Sequence, residues 1–322
     1  MDIWTARRPC GAITLYKLPR LQPGDRITGK WSGAVYRIER KLGEGANGSV
    51  YLTRSSSGSS SCALKIGLDV YDLQSEMNAL RMLATLRTER PHATFPQLFQ
   101  ADDWDFLGAA FPFYTMTFIP GVPIAQFAKV YGIGALLRSG SLLLKALRDL
   151  HELGWAFGDL KSDNVLVGAG GKPALIDFGG ATPFGRAVKQ YSELYDRGLW
   201  RSGGRTSEPS YDLFSFCVLM LEGAGELNRL KALFEQADRR NAGALQALVD
   251  GCSALRPVSD CLKRMIRGEY GRLDEALKDW ENACGDRALK IRRKAGVADW
   301  SAYWLTGSAA AFAVSLWWVL LK

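Results

Sequence analysis

The stretch 154–180 constrains this chain more than any other. It reads Gly-Trp-Ala-Phe-Gly-Asp-Leu-Lys-Ser-Asp-Asn-Val-Leu-Val, then a glycine-rich turn, then Ala-Leu-Ile-Asp-Phe-Gly-Gly. Two short apolar runs of β type, 164–167 and 174–176, flank the turn 168–173, so the stretch predicts a hairpin with polar residues at its strand ends. Asp159, Lys161, Asn164 and Asp177 then converge at one mouth. A carboxylate beside a carboxamide offers hard oxygen ligands to Mg²⁺. A second carboxylate can receive a hydroxyl proton, and a lysine can neutralise a transferred phosphoryl group. The plainer alternative, an acidic loop that only caps strands, does not call for all four residue types at this spacing.

Upstream, Gly43, Gly45 and Gly48 form Gly-x-Gly-x-x-Gly. The run before them, 36–42, alternates apolar and charged residues as an edge strand does. A dinucleotide-binding unit needs a helix after the glycines. Here a second strand-like run, 49–53, follows, so the glycines sit in a hairpin whose backbone can approach phosphates unobstructed by side chains. Next come a short apolar strand, 62–66, interrupted only by Lys65, and a helical pattern over 72–87. Leu73, Met77, Leu80 and Leu83 line one face of that helix, with Glu76 on its flank.

In number and order these motifs resemble those of the eukaryotic-like (Hanks-type) protein kinases, over about 36–283. The resemblance implies an α+β, two-lobed fold, a small antiparallel β lobe plus a helical lobe, that binds ATP and Mg²⁺. It places Asp159 as the catalytic aspartate, Lys161 as the phosphate lysine, and Asn164 and Asp177 as metal ligands. Gly43, Gly45, Gly48 and Val50 would cover the nucleotide, and Lys65, paired with Glu76, would hold its α- and β-phosphates. The strand 111–119 looks like the hinge, with Met116 or Thr117 beside the adenine. Phe157 and Phe178 would stack in an apolar spine. Asp212, in the almost continuously apolar run 211–221, would support the catalytic loop from below. Protein serine and threonine hydroxyls are the implied substrates. His151 reads as structural.

Two departures matter. The usual His-Arg-Asp is Phe157-Gly158-Asp159, so the guanidinium that commonly reads a phosphate on the activation segment is missing. Glu208-Pro209 also lies only just before Asp212, which points to a shortened or rebuilt peptide-docking floor. The segment 182–209 between them is basic and lacks long apolar runs.

At 322 residues the chain holds one such catalytic domain with appendages. We expect an N-terminal extension over 1–34, the small lobe over 35–119, the helical lobe over 120–285, a basic linker over 286–299 and a transmembrane helix over 300–321. That last stretch carries no charge and at helical rise reaches about 33 Å, enough for a hydrocarbon core of about 30 Å. Tryptophans stand at both its ends, and Lys290, Arg292, Arg293 and Lys294 precede it. The bias of positive charge predicts a single-pass protein of the cell membrane whose catalytic domain faces the cytoplasm.

No secretory leader is evident in the first residues, and the cysteines form no Cys-x-x-Cys pair, which fits a reducing compartment. The net charge of +8, from 41 basic and 33 acidic side chains, favours anionic partners, DNA or anionic lipid, as an activator. Gly307, Ala311 and Ser315 form a small-residue stripe suited to pairing two tails in a homodimer. The whole looks most like the small, C-terminally membrane-anchored kinases of spore-forming bacteria. Two other readings stay open on sequence: a small-molecule phosphotransferase of the aminoglycoside kind, which shares a Gly-Asp-Leu catalytic loop, and a non-catalytic scaffold with a kinase fold.

Overall fold

Alternating apolar residues build the N-terminal half as a sheet, and the alternation gives it two buried faces. The computed structural model describes residues 18–45, 48–56, 61–86, 95–188 and 192–288. Strands β1 (Arg26–Thr28), β2 (Val35–Gly45), β3 (Gly48–Ser55) and β4 (Ser61–Ile66) lead into helix α1 (Val70–Leu86). Strands β5 (Leu98–Phe106) and β6 (Ala109–Thr117) follow it. They form one antiparallel six-stranded sheet in the order β1-β2-β3-β4-β6-β5. Tyr51, Leu64, Ile66 and Phe113 point to one side and pack with Ile27, Ile38 and Trp104. Ala63, Tyr114 and Met116 point to the other, where Leu73, Met77 and Leu80 of α1 cover them.

The sheet begins earlier than the sequence suggested. The stretch 1–34 is not wholly an extension, because β1 pairs with β2 and carries Ile27 into the core. β2 is therefore not the edge strand. Its outer side is occupied, and the turn after β1 crosses to β5 at the far end of the sheet order. Lys30 N–H donates to Asp103 O at 2.8 Å. The carboxylate of Asp102, only 3 % exposed, accepts from Trp31 N at 3.0 Å, Ser32 N at 2.9 Å and Asp103 N at 2.7 Å. A clamp between the two edges covers backbone that would otherwise template foreign strands. Gly29 is required here, since a Cβ would lie 2.3 Å from Asp102 Oδ2.

After the connection 118–121 the chain turns helical. Strand β7 (Val122–Pro123), helices α2 (Ile124–Tyr131) and α3 (Ile133–Glu152), and short strands β8 (Trp155–Ala156), β9 (Val165–Val167), β10 (Pro173–Leu175) and β11 (Thr182–Pro183) precede α4 (Pro209–Gly223). Then come α5 (Leu227–Glu235), α6 (Ala242–Asp250), α7 (Ser259–Ile266) and α8 (Leu273–Ala288). A helix that is apolar on every side must be surrounded. Every residue of α4 from Tyr211 to Leu221 is buried, and α2, α3, α5, α7 and α8 all pack on it. Trp280 of α8 meets Phe216 edge to face at 5.0 Å and donates its Nε1–H to Leu137 O at 3.3 Å.

Helix α8 kinks at Gly285 (φ 59°, ψ 165°), the expected boundary of the lobe, and a short helical piece carries the described chain to Ala288. The remainder of the basic linker and the anchor expected at 300–321 lie outside the described residues. Among the described residues no helix is long and apolar enough to cross a membrane.

The Asp102 clamp generates a stability prediction. Burial favours the neutral acid, but the Ser32 hydroxyl and the N–H groups of Trp31, Ser32 and Asp103 outweigh it and hold the pKa below the ordinary aspartate value. A depressed carboxylate contributes stability that is present above its unfolded pKa and lost as pH falls through the folded one. Asp102→Asn is therefore expected to cost roughly 1–3 kcal/mol at neutral pH. Denaturant unfolding at about pH 7 and about pH 3 should show the wild-type advantage shrinking at the acid end.

Candidate active site

Sheet register decides what faces the cleft between sheet and helices. Lys65 of β4 stands opposite Val50 of β3 on one side and Tyr114 of β6 on the other, while Ala63 stands opposite Met116. Val50, Ala63, Lys65, Tyr114 and Met116 therefore share one face. The alternative left open by the sequence closes on Met116, because Thr117 pairs with Cys62, whose side chain belongs to the opposite core.

Helix α1 crosses behind this face and delivers Glu76. Lys65 Nζ lies 2.6 Å from Glu76 Oε2 and 2.9 Å from Asp177 Oδ1, and Glu76 Oε1 accepts the Phe178 N–H at 3.1 Å. Lys65 is 4 % exposed and Glu76 1 %. Burial works against the ammonium, yet the two carboxylates outweigh it and hold the Lys65 pKa above its ordinary value. For Asp177 too, burial favours the neutral acid, but Lys65 and the Gly179 N–H prevail and lower its pKa. Glu76 goes the other way, because its burial is nearly complete and raises its pKa despite Lys65.

The second cluster sits on the loop before β9. Residues 162–164 form a single 3₁₀ turn, so Asn164 belongs to that turn and not, as its sequence suggested, to the strand. The turn folds Asn164 back onto Asp159: Nδ2 donates to Asp159 O and to Asp159 Oδ2, both at 2.9 Å. Lys161 Nζ reaches the same Oδ2 at 2.7 Å. Hairpin β9–β10, with Val165 opposite Leu175, then brings Asp177 to the same end. Asp177 has φ 60° and caps the 3₁₀ turn Phe178–Gly180.

Phe178 meets Phe157 edge to face at 5.2 Å, and Phe95 lies on it at 5.9 Å. Beneath them Asp212 accepts from Phe157 N at 2.7 Å and Gly158 N at 2.9 Å. Its Oδ2 also lies 2.8 Å from His151 Nε2, the structural place the sequence proposed for that histidine.

Phosphate and cation chemistry fits what these residues leave available. Gly43 and Gly45 have open space where a Cβ would stand, and a Cβ on Gly48 would lie 2.2 Å from Ile66 O. Gly43 and Gly45 at the end of β2 and Gly48 at the start of β3 thus leave bare backbone there. Asn164 spends its nitrogen on Asp159, which leaves its carboxamide oxygen, and the Asp177 side chain stays half exposed. One carboxylate and one amide oxygen are a partial shell of the kind Mg²⁺ accepts when phosphate oxygens and water complete it. Among the described residues no three His, Cys, Asp or Glu gather as a metal site by themselves.

Lys65 and Asp159 are both buried, because each serves as a hub for neighbouring polar groups. Gly158 is more than a missing arginine: it sits at φ 76°, and a Cβ would lie 2.4 Å from Gly180 O, so the backbone itself requires glycine. Arg197 is no free phosphate reader, since Glu208, Ser210 and Gly204 already occupy its guanidinium. The sequence also missed Ser162, whose Oγ accepts the Ala125 N–H at 3.1 Å and ties the catalytic loop to α2. Only the tertiary contact reveals it.

The chain is 36% identical over 276 residues to the serine/threonine-protein kinase YabT of Bacillus subtilis (strain 168), covering 85% of this chain and 78% of that protein. It is 27% identical over 195 residues to the DNA damage-responsive serine/threonine-protein kinase RqkA of Deinococcus radiodurans, covering 59% of this chain and 27% of that one. Among solved structures, that of vaccinia related kinase 3 superposes with a TM-score of 0.63 at 16% identity, over 85% of this chain and 94% of its own. At that identity the likeness speaks for the fold. No family model matches the chain.

Because Lys65 and Glu76 are buried together, removing one partner strands the other. Lys65→Ala is expected to abolish phosphoryl transfer and to lower stability by roughly 3–5 kcal/mol. Adding Glu76→Gln should recover most of that stability and none of the activity. Thermal melts and phosphate-transfer assays on the single and double variants check both halves.

Proposed function

This chain belongs to the serine/threonine-protein kinases, and on that premise we propose how its cleft divides the work. The observation that carries the reading is the convergence of Lys161 and Asn164 on one carboxylate oxygen of Asp159, beside a Lys65 already held by Glu76 and Asp177. Magnesium ATP, when bound, supplies the γ-phosphoryl group and the cationic charge that offsets its developing negative charge.

Asp159 Oδ2 is occupied by Lys161 and Asn164, whereas Oδ1 makes no hydrogen bond among the described residues. Oδ1 is therefore the oxygen that orients a serine or threonine hydroxyl and accepts its proton. Lys161, half-buried beside it, offsets charge on the transferred group. Asn164 and Asp177 hold magnesium, Lys65 holds the α- and β-phosphates, and Glu76 keeps Lys65 in its working rotamer. Gly43, Gly45, Gly48 and Val50 cover the nucleotide, and Met116 borders the adenine. The small-molecule phosphotransferase and scaffold readings are not favoured: the relatives are named protein kinases, and no expected catalytic residue is missing.

The finer proposal is that the kinase is tethered to the cell membrane by 300–321, faces the cytoplasm, self-associates through its tail and responds to an anionic polymer such as DNA. What supports it is the uncharged, tryptophan-flanked tail, its basic lead-in and the net charge of +8.

Incubating the full chain with labelled ATP, magnesium and protein substrate tests the assignment. Asp159→Asn is expected to reduce transfer about 10²–10⁴-fold while the protein melts as a folded domain. Near-normal transfer would remove Asp159 from its role. For the activator, counterion release makes any stimulation by DNA fall steeply between low and physiological salt. Stimulation independent of salt, or a chain that stays out of the membrane fraction, would count against the finer proposal.

A further inference from the structure

Beside the Lys65–Glu76 pair stands a tyrosine that the catalytic assignments do not use. Tyr114 of β6 lies directly opposite Lys65 of β4 and shares its face of the sheet, with Ala101 of β5 on its other flank. Helix α1 packs on this strand, and Tyr114 is 0 % exposed within the apolar core that Leu73, Met77 and Met116 also enter. Its hydroxyl sits inside that core, beside the Glu76 carboxylate and within the field of Asp177. There it makes no hydrogen bond among the described residues. A buried hydroxyl without a partner is costly, and a phenylalanine would fill the same space without that cost. Burial and the two carboxylates hold the phenol well above its ordinary pKa, so the group is a neutral O–H, a donor beside an acceptor.

Glu76 is that acceptor, and its bonds are the ones that nucleotide binding disturbs. Its Oε2 takes Lys65 Nζ at 2.6 Å and its Oε1 takes the Phe178 N–H at 3.1 Å. Lys65 in turn divides its ammonium between Glu76 and Asp177, which lies 2.9 Å away. When Lys65 turns to the α- and β-phosphates, Glu76, 1 % exposed, keeps a smaller share of the positive charge that offsets its burial. We propose that Tyr114 is a positioning residue for Lys65: its hydroxyl, unpartnered in this structure, closes on Glu76 when Lys65 engages nucleotide phosphate and holds the carboxylate in register with the lysine. The phenol reaches the carboxylate by a turn of its O–H and a small side-chain shift. The Phe178 N–H cannot adjust in that way, because it is fixed at the start of the 3₁₀ turn Phe178–Gly180. Tyr114 touches none of the reacting groups and acts through Glu76 and Lys65.

This inference rests on the roles proposed for Lys65 and Glu76, so its test reads stability and nucleotide binding as well as turnover and includes a variant of Glu76. Full-chain Tyr114→Phe, which keeps the ring and loses only the hydroxyl, is compared with the wild type. Without nucleotide it should melt at the same temperature or higher, since the lost hydroxyl was unpaired. Binding of magnesium ADP, followed by titration calorimetry, should weaken about 3–100-fold, the span expected for one lost hydrogen bond to a carboxylate. KM for ATP should rise with it while kcat stays within about threefold, because Asp159 and Lys161 are untouched. In a Glu76→Gln background the same change should weaken binding less than about twofold, because the carboxylate it serves is gone. Weakening below about threefold in the single variant overturns the proposal. A lower melting temperature without nucleotide also overturns it, since the hydroxyl would then be bonded already in the free enzyme. An undiminished effect in the Glu76→Gln background does the same by placing the partner elsewhere. Glu76→Gln alone separates the two readings. If it leaves magnesium ADP binding unchanged, the role proposed for Glu76 fails and this proposal with it; if it weakens binding while Tyr114→Phe does not, only this proposal fails.

Discussion

A carboxylate with no access to water organises the helical half of this protein. Asp212 lies on α4, which is buried throughout from Tyr211 to Leu221, and burying a charge there is tolerated because donors meet both of its oxygens. Two of those donors are backbone N–H groups of the catalytic loop, and the third is His151 at the end of α3. The requirement that a buried carboxylate be satisfied thereby becomes a requirement on where Asp159 stands. Moving the loop would take away two of the three partners of this buried carboxylate, which costs more than most single contacts contribute. The loop that does chemistry is therefore among the most constrained backbone in the chain.

Lys65 plays the corresponding part on the sheet side, with a different balance. It is buried between a fully buried carboxylate and a half-exposed one, so its charge is retained while its attachment to Asp177 stays accessible from the cleft. Three elements meet at that nitrogen: strand β4, helix α1 and the segment after β10. Their agreement in space is what makes the cleft a site, since α1 without Lys65 would present a buried glutamate and no reason to bury it. The Phe157–Phe178 stack runs from this meeting point toward the loop held by Asp212. Polar and apolar ties thus run in parallel between the two clusters.

Much of this was legible in the sequence because it depends on local spacing. Strand, turn and strand around 154–180 placed Asp159 and Asp177 at one end of a hairpin, and a short apolar run interrupted only by Lys65 and helical spacing around Glu76 named a strand and a helix. What stayed illegible depends on partners far away in the chain. β1 was taken for an extension because three residues carry almost no pattern; only its pairing with β2 makes them a strand. In the sequence Arg197 is only one cation of a basic segment, because composition does not say which acid a guanidinium meets. Gly158 was read as a lost cation when the positive φ and the nearby Gly180 carbonyl make it a steric necessity.

By itself, the sequence determined the chemical inventory and its order: the glycines, Lys65, Glu76, Asp159, Lys161, Asn164, Asp177 and Asp212, with the element types that carry them. Tertiary structure alone decided which atoms those groups share. It chose Met116 over Thr117 through sheet register, buried Lys65 and Asp159, and gave Arg197 and Arg205 carboxylate partners inside their own segment. The physical reason is that side-chain periodicity is a property of a few consecutive residues. Burial and charge pairing are settled by whichever surfaces the packed elements bring within about 3 Å of one another.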